Sequence, residues 1–170
     1  IARNYAQYNC LAPDILQTKV VNHITQKRMD ENRSVLIESA RIARGDIKNL
    51  HDAIIQDYDA AFYPGGFGAA NNLSDFAAKG EQMTIQSDVL AFAQAMANAN
   101  KPQGFCCIAP ALISKIYASN VMQTIGNDKG TANAIEAMGG THKDCPASDV
   151  VVDLNHKVVS TPAYMLGKNI

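Results

Sequence analysis

The chain has 170 residues, 47% apolar and 18% charged, with a formal net charge of −1. That is enough for one domain with its own core, and the near-neutral balance argues against nucleic acid or an anionic membrane as the partner. No apolar stretch is long enough to cross a bilayer, and no basic stretch leads into an apolar run as a signal peptide would.

Ile1 to Ala6 reads like the end of a helix and Tyr164 to Ile170 like a helix cut short. The sequence is therefore expected to be part of a longer chain. Tyr8 to Ala12 reads as a short strand ended by Pro13-Asp14, and Val20 to Ile24 as a second apolar run before a polar stretch. From Ser34 the period changes. Val35, Leu36, Ser39, Ala40, Ile42 and Ala43 share a helical face, and Gly45 stops the helix. On that helix Glu38, Arg41 and Arg44 read as a solvated face with i,i+3 pairing. Leu50 to Ile55 is a weak helical turn.

Ala60 to Tyr63 reads as a buried strand running into Pro64-Gly65-Gly66-Phe67-Gly68, with a short helix over Ala69 to Ala78. Ile85 to Asn98 is the clearest helix, with Val89, Leu90, Phe92, Ala93 and Met96 on its apolar side. Gly104 to Cys107 is a strand, Pro110 to Tyr117 a helix, Val121 to Ile125 a strand, and Thr131 to Met138 a helix closed by Gly139-Gly140. Val150 to Asp153 and Lys157 to Ser160 form a strand pair around Leu154-Asn155-His156. Strands alternating with helices at this spacing predict one α/β domain with a mostly parallel sheet, whose site lies beyond the carboxyl ends of the strands.

Cys10, Cys106, Cys107 and Cys145 contain no CxxC pair and make no disulfide framework. They read as thiols of a reduced, intracellular protein. The four histidines, His23, His51, His142 and His156, have no metal-ligand spacing, so no metal site is expected. His142 and Cys145 lie close enough in sequence to approach a site from a loop, but read as ordinary loop residues.

Two loops at strand ends carry the chemistry. In Gly104-Phe105-Cys106-Cys107-Ile108-Ala109-Pro110-Ala111 a strand delivers a cysteine into a sharp turn, and Pro110 suits the first turn of the next helix. This is the pattern of a nucleophile elbow, which presents the Cys107 side chain at the strand tip while Cys106 points into the sheet. The competing reading is two small residues packed at a buried strand end. In Pro64-Gly65-Gly66-Phe67-Gly68-Ala69-Ala70-Asn71-Asn72 the glycines allow close backbone approach, but the spacing fits neither a Walker loop nor GxGxxG. The backbone N–H groups of Gly66 and Ile108 are the candidate oxyanion donors, and Gly65, Phe67 and Tyr164 candidate pocket residues.

Both loops resemble the ElbB family of the ThiJ/PfpI, class I glutamine amidotransferase-like superfamily. So do Asn32 to Gly45, Cys145-Pro146 through Val150 to Asp153, and Val158 to Leu166. The resemblance implies a flavodoxin-like three-layer sandwich with the catalytic cysteine at Cys107. It also implies a homodimer, and glyoxalase-type conversion of glyoxal or methylglyoxal to hydroxy acids. Bacterial members are linked by name to isoprenoid biosynthesis, which implies a cytoplasmic protein; animal relatives are mitochondrial. In the superfamily a glutamate near the end of the first strand hydrogen-bonds the cysteine. That strand precedes the residue matching Ile1, so the first strand and the last helix are expected to lie outside these 170 residues. Ile108 stands where protease-like relatives carry histidine, and Thr161-Pro162-Ala163 where amidotransferases carry a histidine–glutamate pair. Peptidase activity is therefore not expected. The alternatives to a glyoxalase are a non-catalytic redox or ligand-sensing protein and a glutaminase-like subunit.

Overall fold

A computed structural model describes residues 4–118 and 120–166, apart from the side chain of Tyr164. The chain divides into two compact units, 1–54 and 55–170.

In the first unit β1 (Cys10–Ala12) pairs in parallel with β4 (Ile47–Asn49), in the register Cys10 opposite Ile47. Between them in sequence lie the antiparallel pair β2 (Val20–Asn22) and β3 (Lys27–Met29), then α1 (Val35–Ile42). Asn22 Oδ1 accepts from the N–H groups of Ile24 and Thr25 and so shapes the hairpin turn. Ser34 caps α1 by accepting from the Ile37 N–H at 3.2 Å, and Gly45 at φ +84° lets the chain turn away after it. Arg41 pairs with Glu38 at 2.8 Å on the exposed side, as the sequence predicts.

The second unit runs β5 (Ala61–Tyr63), α2 (Gly66–Gly68) continuing as a π turn over Ala69–Leu73, α3 (Phe76–Lys79) and α4 (Ser87–Asn98). β6 (Gln103–Cys106) follows, then a 3-10 turn (Ala109–Leu112) running into α5 (Ile113–Tyr117). The rest is β7 (Met122–Gln123), α6 (Lys129–Ala137), β8 (Thr141–His142), β9 (Val151–Asp153) and β10 (Val158–Thr161). The main sheet has the order β5-β6-β10-β9, with β9 alone antiparallel. β7 and β8 form a separate parallel pair.

Side chains alternate across a strand, and this sheet shows it. Phe105, Val158 and Val151 face inward with Gln103 and Ser160; Phe105 and Val158 pack with Ala93 of α4 and Leu112, Ile113 and Ile116 around α5. The opposite face carries one registered row, Phe62, Gly104, Val159 and Val152. Here the expectation of a wholly buried β5 is corrected: Phe62 is 55% exposed, because its register puts it on this outer row. Its ring lies over Gly104 and occupies the space a side chain there would need.

Asp75 joins the loop before α3 to Thr84. Its carboxylate accepts from the Thr84 N–H and hydroxyl and pairs with Lys79 at 2.7 Å. The Lys79 ammonium, with help from Thr84, pulls the Asp75 carboxyl down to about 2. A depressed carboxyl pKa stabilises the fold above the unfolded value and loses that contribution as pH falls through the folded one. Asp75→Asn is therefore expected to lower the melting temperature at pH 6 and to converge on the parent between pH 4 and pH 2. Parallel melting curves at all three pH values would contradict this.

Candidate functional site

The elbow is built by β6 and the 3-10 turn after it. Phe105 anchors the strand in the core, and two residues later Cys107 takes φ +61°, the left-handed conformation. Non-glycine residues adopt it infrequently; here Arg44, Asn100 and Ala118, among others, do so as well. The Cys107 N–H donates to the Thr161 carbonyl at 3.0 Å, which ties the elbow to the end of β10. Ala109 is fully buried behind the turn, and Pro110 sits in the first turn of the 3-10 segment. The predicted strand–turn–helix around Cys107 is thus present, with a half-buried thiol at its apex.

The glycine loop leaves the neighbouring strand β5 and meets the elbow directly. Gly65 has φ +84° and ψ −140°, a region open essentially to glycine. A Cβ placed on it would lie 2.5 Å from the Cys106 carbonyl oxygen, 2.9 Å from Cys107 Cβ and 3.3 Å from the Ile108 nitrogen. Missing a side chain is therefore what lets the two loops touch. Helix begins at Gly66, three residues earlier than the sequence predicts, because the Gly65 turn sets its direction. The Gly66 N–H opens that helix, and the Ile108 N–H opens the turn after Cys107; the first N–H groups of a helix have no carbonyl of their own turn to bond. The joined loops thus bring the Cys107 elbow against the turn that leads into α2.

Cys106 differs from its expected placement. Period two puts its side chain on the Gly104 face rather than in the core, and its thiol donates to the Pro64 carbonyl at 3.0 Å. Burial pushes the Cys106 thiol pKa up, and the neighbouring Cys107 adds to the shift. Below the loops Tyr63 stacks on Phe105 at 4.5 Å and donates to Gln103 Oε1 at 3.0 Å. Gln103 Nε2 in turn donates to the Ala93 carbonyl and to Tyr117 Oη. Burial raises the Tyr63 phenol, which stays a donor. This network fixes β5 against β6, and so the bases of both loops.

Phe67 stands 86% exposed on α2, and the Tyr164 side chain lies outside the described residues. His142, expected in a loop, lies instead in β8 and accepts from the Ile125 N–H through Nε2 at 3.3 Å; Cys145 is buried after it. No described side chain hydrogen-bonds the Cys107 thiol. Among the described residues no three His, Cys, Asp or Glu side chains gather in a way that would hold a metal ion. A depression of about 430 Å³, lined by Gln94, Asn98, Asn100, Tyr117, Asn155 and His156, opens beside the starts of β6 and β10, away from the elbow. Sequence reasoning missed the Thr161 and Pro64 carbonyls as supports of the site, because a backbone acceptor leaves no residue-type signal.

No protein-family model matches the chain. Among curated proteins it is 40% identical to the rat "ES1 protein homolog, mitochondrial" over 97% of its own length. It is 41% identical to the human "Glutamine amidotransferase-like class 1 domain-containing protein 3, mitochondrial", again over 97%. In both cases the chain spans 65% of the relative's length. A solved structure from Ehrlichia chaffeensis, an "isoprenoid biosynthesis protein with amidotransferase-like domain", superposes with a TM-score of 0.90 at 33% identity, covering 99% of this chain and 77% of that one. A two-domain protein from Anabaena variabilis with DJ-1/ThiJ/PfpI-like and ferritin-like domains shares the fold at 14% identity, with a TM-score of 0.51 over 87% of this chain and 33% of that one. The architecture is thus the flavodoxin-type α/β fold of amidotransferase-like proteins.

Proposed function

We propose that this chain, which belongs to the ElbB-like family of the ThiJ/PfpI, class I glutamine amidotransferase-like superfamily, is a cysteine-dependent, cofactor-free glyoxalase acting on small dicarbonyls. The observation that carries the reading is the Cys107 elbow in contact with the glycine loop, where Gly65 has no room for a Cβ beside Cys107 and the Ile108 nitrogen; the reading takes the N–H groups of Gly66 and Ile108 as the oxyanion donors. The Cys107 thiolate adds to the aldehyde carbon of methylglyoxal. A carbon–sulfur bond forms, and the carbonyl electron pair moves onto oxygen, where the two N–H groups hold it. A base then carries the proton from that carbon to the neighbouring one through an enediol. The result is a thioester, and water hydrolyses it to lactate and the free thiol. In the family that base is a glutamate near the end of the first strand. The protein acts as a homodimer, in the cytoplasm of a bacterial host or the mitochondrion of a eukaryotic one.

The test is incubation of the purified protein with methylglyoxal in the absence of glutathione. One lactate should form for each dicarbonyl consumed. The partly accessible free thiol at the elbow, open to oxidation, also suits a second reading, a redox or ligand-sensing protein. No turnover, with Cys107 oxidised by dilute peroxide ahead of the other thiols, would sink the enzyme reading and favour that one. A glutaminase-like subunit would need an imidazole at the sulfur, and no described histidine bonds it.

A further inference from the structure

The glycine loop presents a problem of aim. Two successive glycines at φ +84° and +80° leave the peptide plane between them free to rotate, and that plane carries the Gly66 N–H. Packing does not hold Gly66 itself, since a Cβ there would meet nothing within 4 Å. What fixes the direction of that N–H must act on the residues before it.

Two contacts do. Gly65 is wedged against the elbow backbone from Cys106 to Ile108. The Pro64 carbonyl, one peptide upstream of the Gly65–Gly66 plane, accepts from the Cys106 thiol at 3.0 Å. We propose that Cys106 is a positioning residue: its S–H, anchored on β6, holds the Pro64 peptide and thereby aims the Gly66 N–H at the oxygen of a group bound to Cys107. This rests on the reading of Cys107 as nucleophile and of Gly66 and Ile108 as its oxyanion donors. Only a protonated thiol donates, and burial of Cys106 favours that form. The adjacent cysteines thus divide the work, one as nucleophile and one as strut.

The test compares two reactions of Cys107. Acylation by p-nitrophenyl acetate forms the S–acyl bond and expels p-nitrophenolate through an oxyanion, so it depends on the aimed N–H. Alkylation by iodoacetamide displaces iodide with no oxyanion and reports the thiol alone. Both are followed at Cys107 by peptide mass spectrometry. Cys106→Ala should slow acylation about tenfold, less than loss of a whole oxyanion donor costs, and leave alkylation within about twofold. Cys106→Ser, which keeps a donor, should recover most of the acylation rate. Unchanged acylation in Cys106→Ala, equal losses in both reactions, or a serine variant as slow as the alanine one would each overturn the proposal. The readout does not depend on dicarbonyl turnover. An enzyme that fails to turn over methylglyoxal yet shows the selective acylation loss would refute the glyoxalase reading and keep Cys106 as a strut.

Discussion

Cys107→Ser is expected to lower kcat for methylglyoxal on the order of 10³-fold or more, with the melting temperature nearly unchanged. Serine is close in size and keeps a Cβ, so the variant adopts φ +61° with the same strain and the same Thr161 hydrogen bond. What it loses is nucleophilicity: a thiol ionises within reach of neutral pH and a serine hydroxyl does not. Steady-state rates and thermal melts on the same preparations check both halves. A serine variant retaining more than a tenth of the parent kcat would remove Cys107 from the mechanism.

Gly65→Ala is expected to damage fold and function together. The new methyl would meet the Cys106 carbonyl at 2.5 Å and Cys107 Cβ at 2.9 Å. The first is backbone, which cannot swing aside as a flexible side chain would. The φ of +84° with ψ −140° adds strain whatever the space. Overpacking and strain together cost about 2–5 kcal/mol, a fall in Tm on the order of 10 °C. Because the loop and elbow must move apart to admit the methyl, turnover should be lost as well. Gly66→Ala is the control. It has a similar φ, but open space at the Cβ position, so it bears only the conformational cost of about 1–2 kcal/mol. Equal melting temperatures for the two variants would show that the loops do not touch.

The parts of the site legible in the sequence were those marked by residues with special backbone chemistry. Pro64-Gly65-Gly66 announced a turn that only glycine can make, and Cys107-Ile108-Ala109-Pro110 a strand that stops and a helix that starts. Long periodic elements were legible too: α4 was read within two residues of its start, and β9 with β10 form the antiparallel pair expected. Elements made by pairing rather than by a pattern of their own were not. β3, β4 and β8 are two or three residues long, and Lys27-Arg28-Met29, Ile47-Lys48-Asn49 and Thr141-His142 have no strand pattern of their own; each exists because a partner strand supplies its hydrogen bonds. The helical start at Gly66 was missed because glycine is a poor helix former and the local preference was overridden by the Gly65 turn. Phe62 and Cys106 were misplaced for one reason: an apolar run does not say which of its alternate members faces the core.

The left-handed backbone at Cys107 bears on durability as well as reactivity. A side chain held there costs roughly 1–2 kcal/mol that glycine would not incur, partly offset by the freer unfolded chain of a glycine variant. Cys107→Gly should therefore yield an inert protein that melts at or slightly above the parent temperature, and a lower melting point would argue against strain at the elbow. Cys107 is thus, in thermal terms, a net burden. Selection for heat resistance alone would drift toward losing the thiol, and thermostable variants obtained without an activity screen should be sequenced first at position 107.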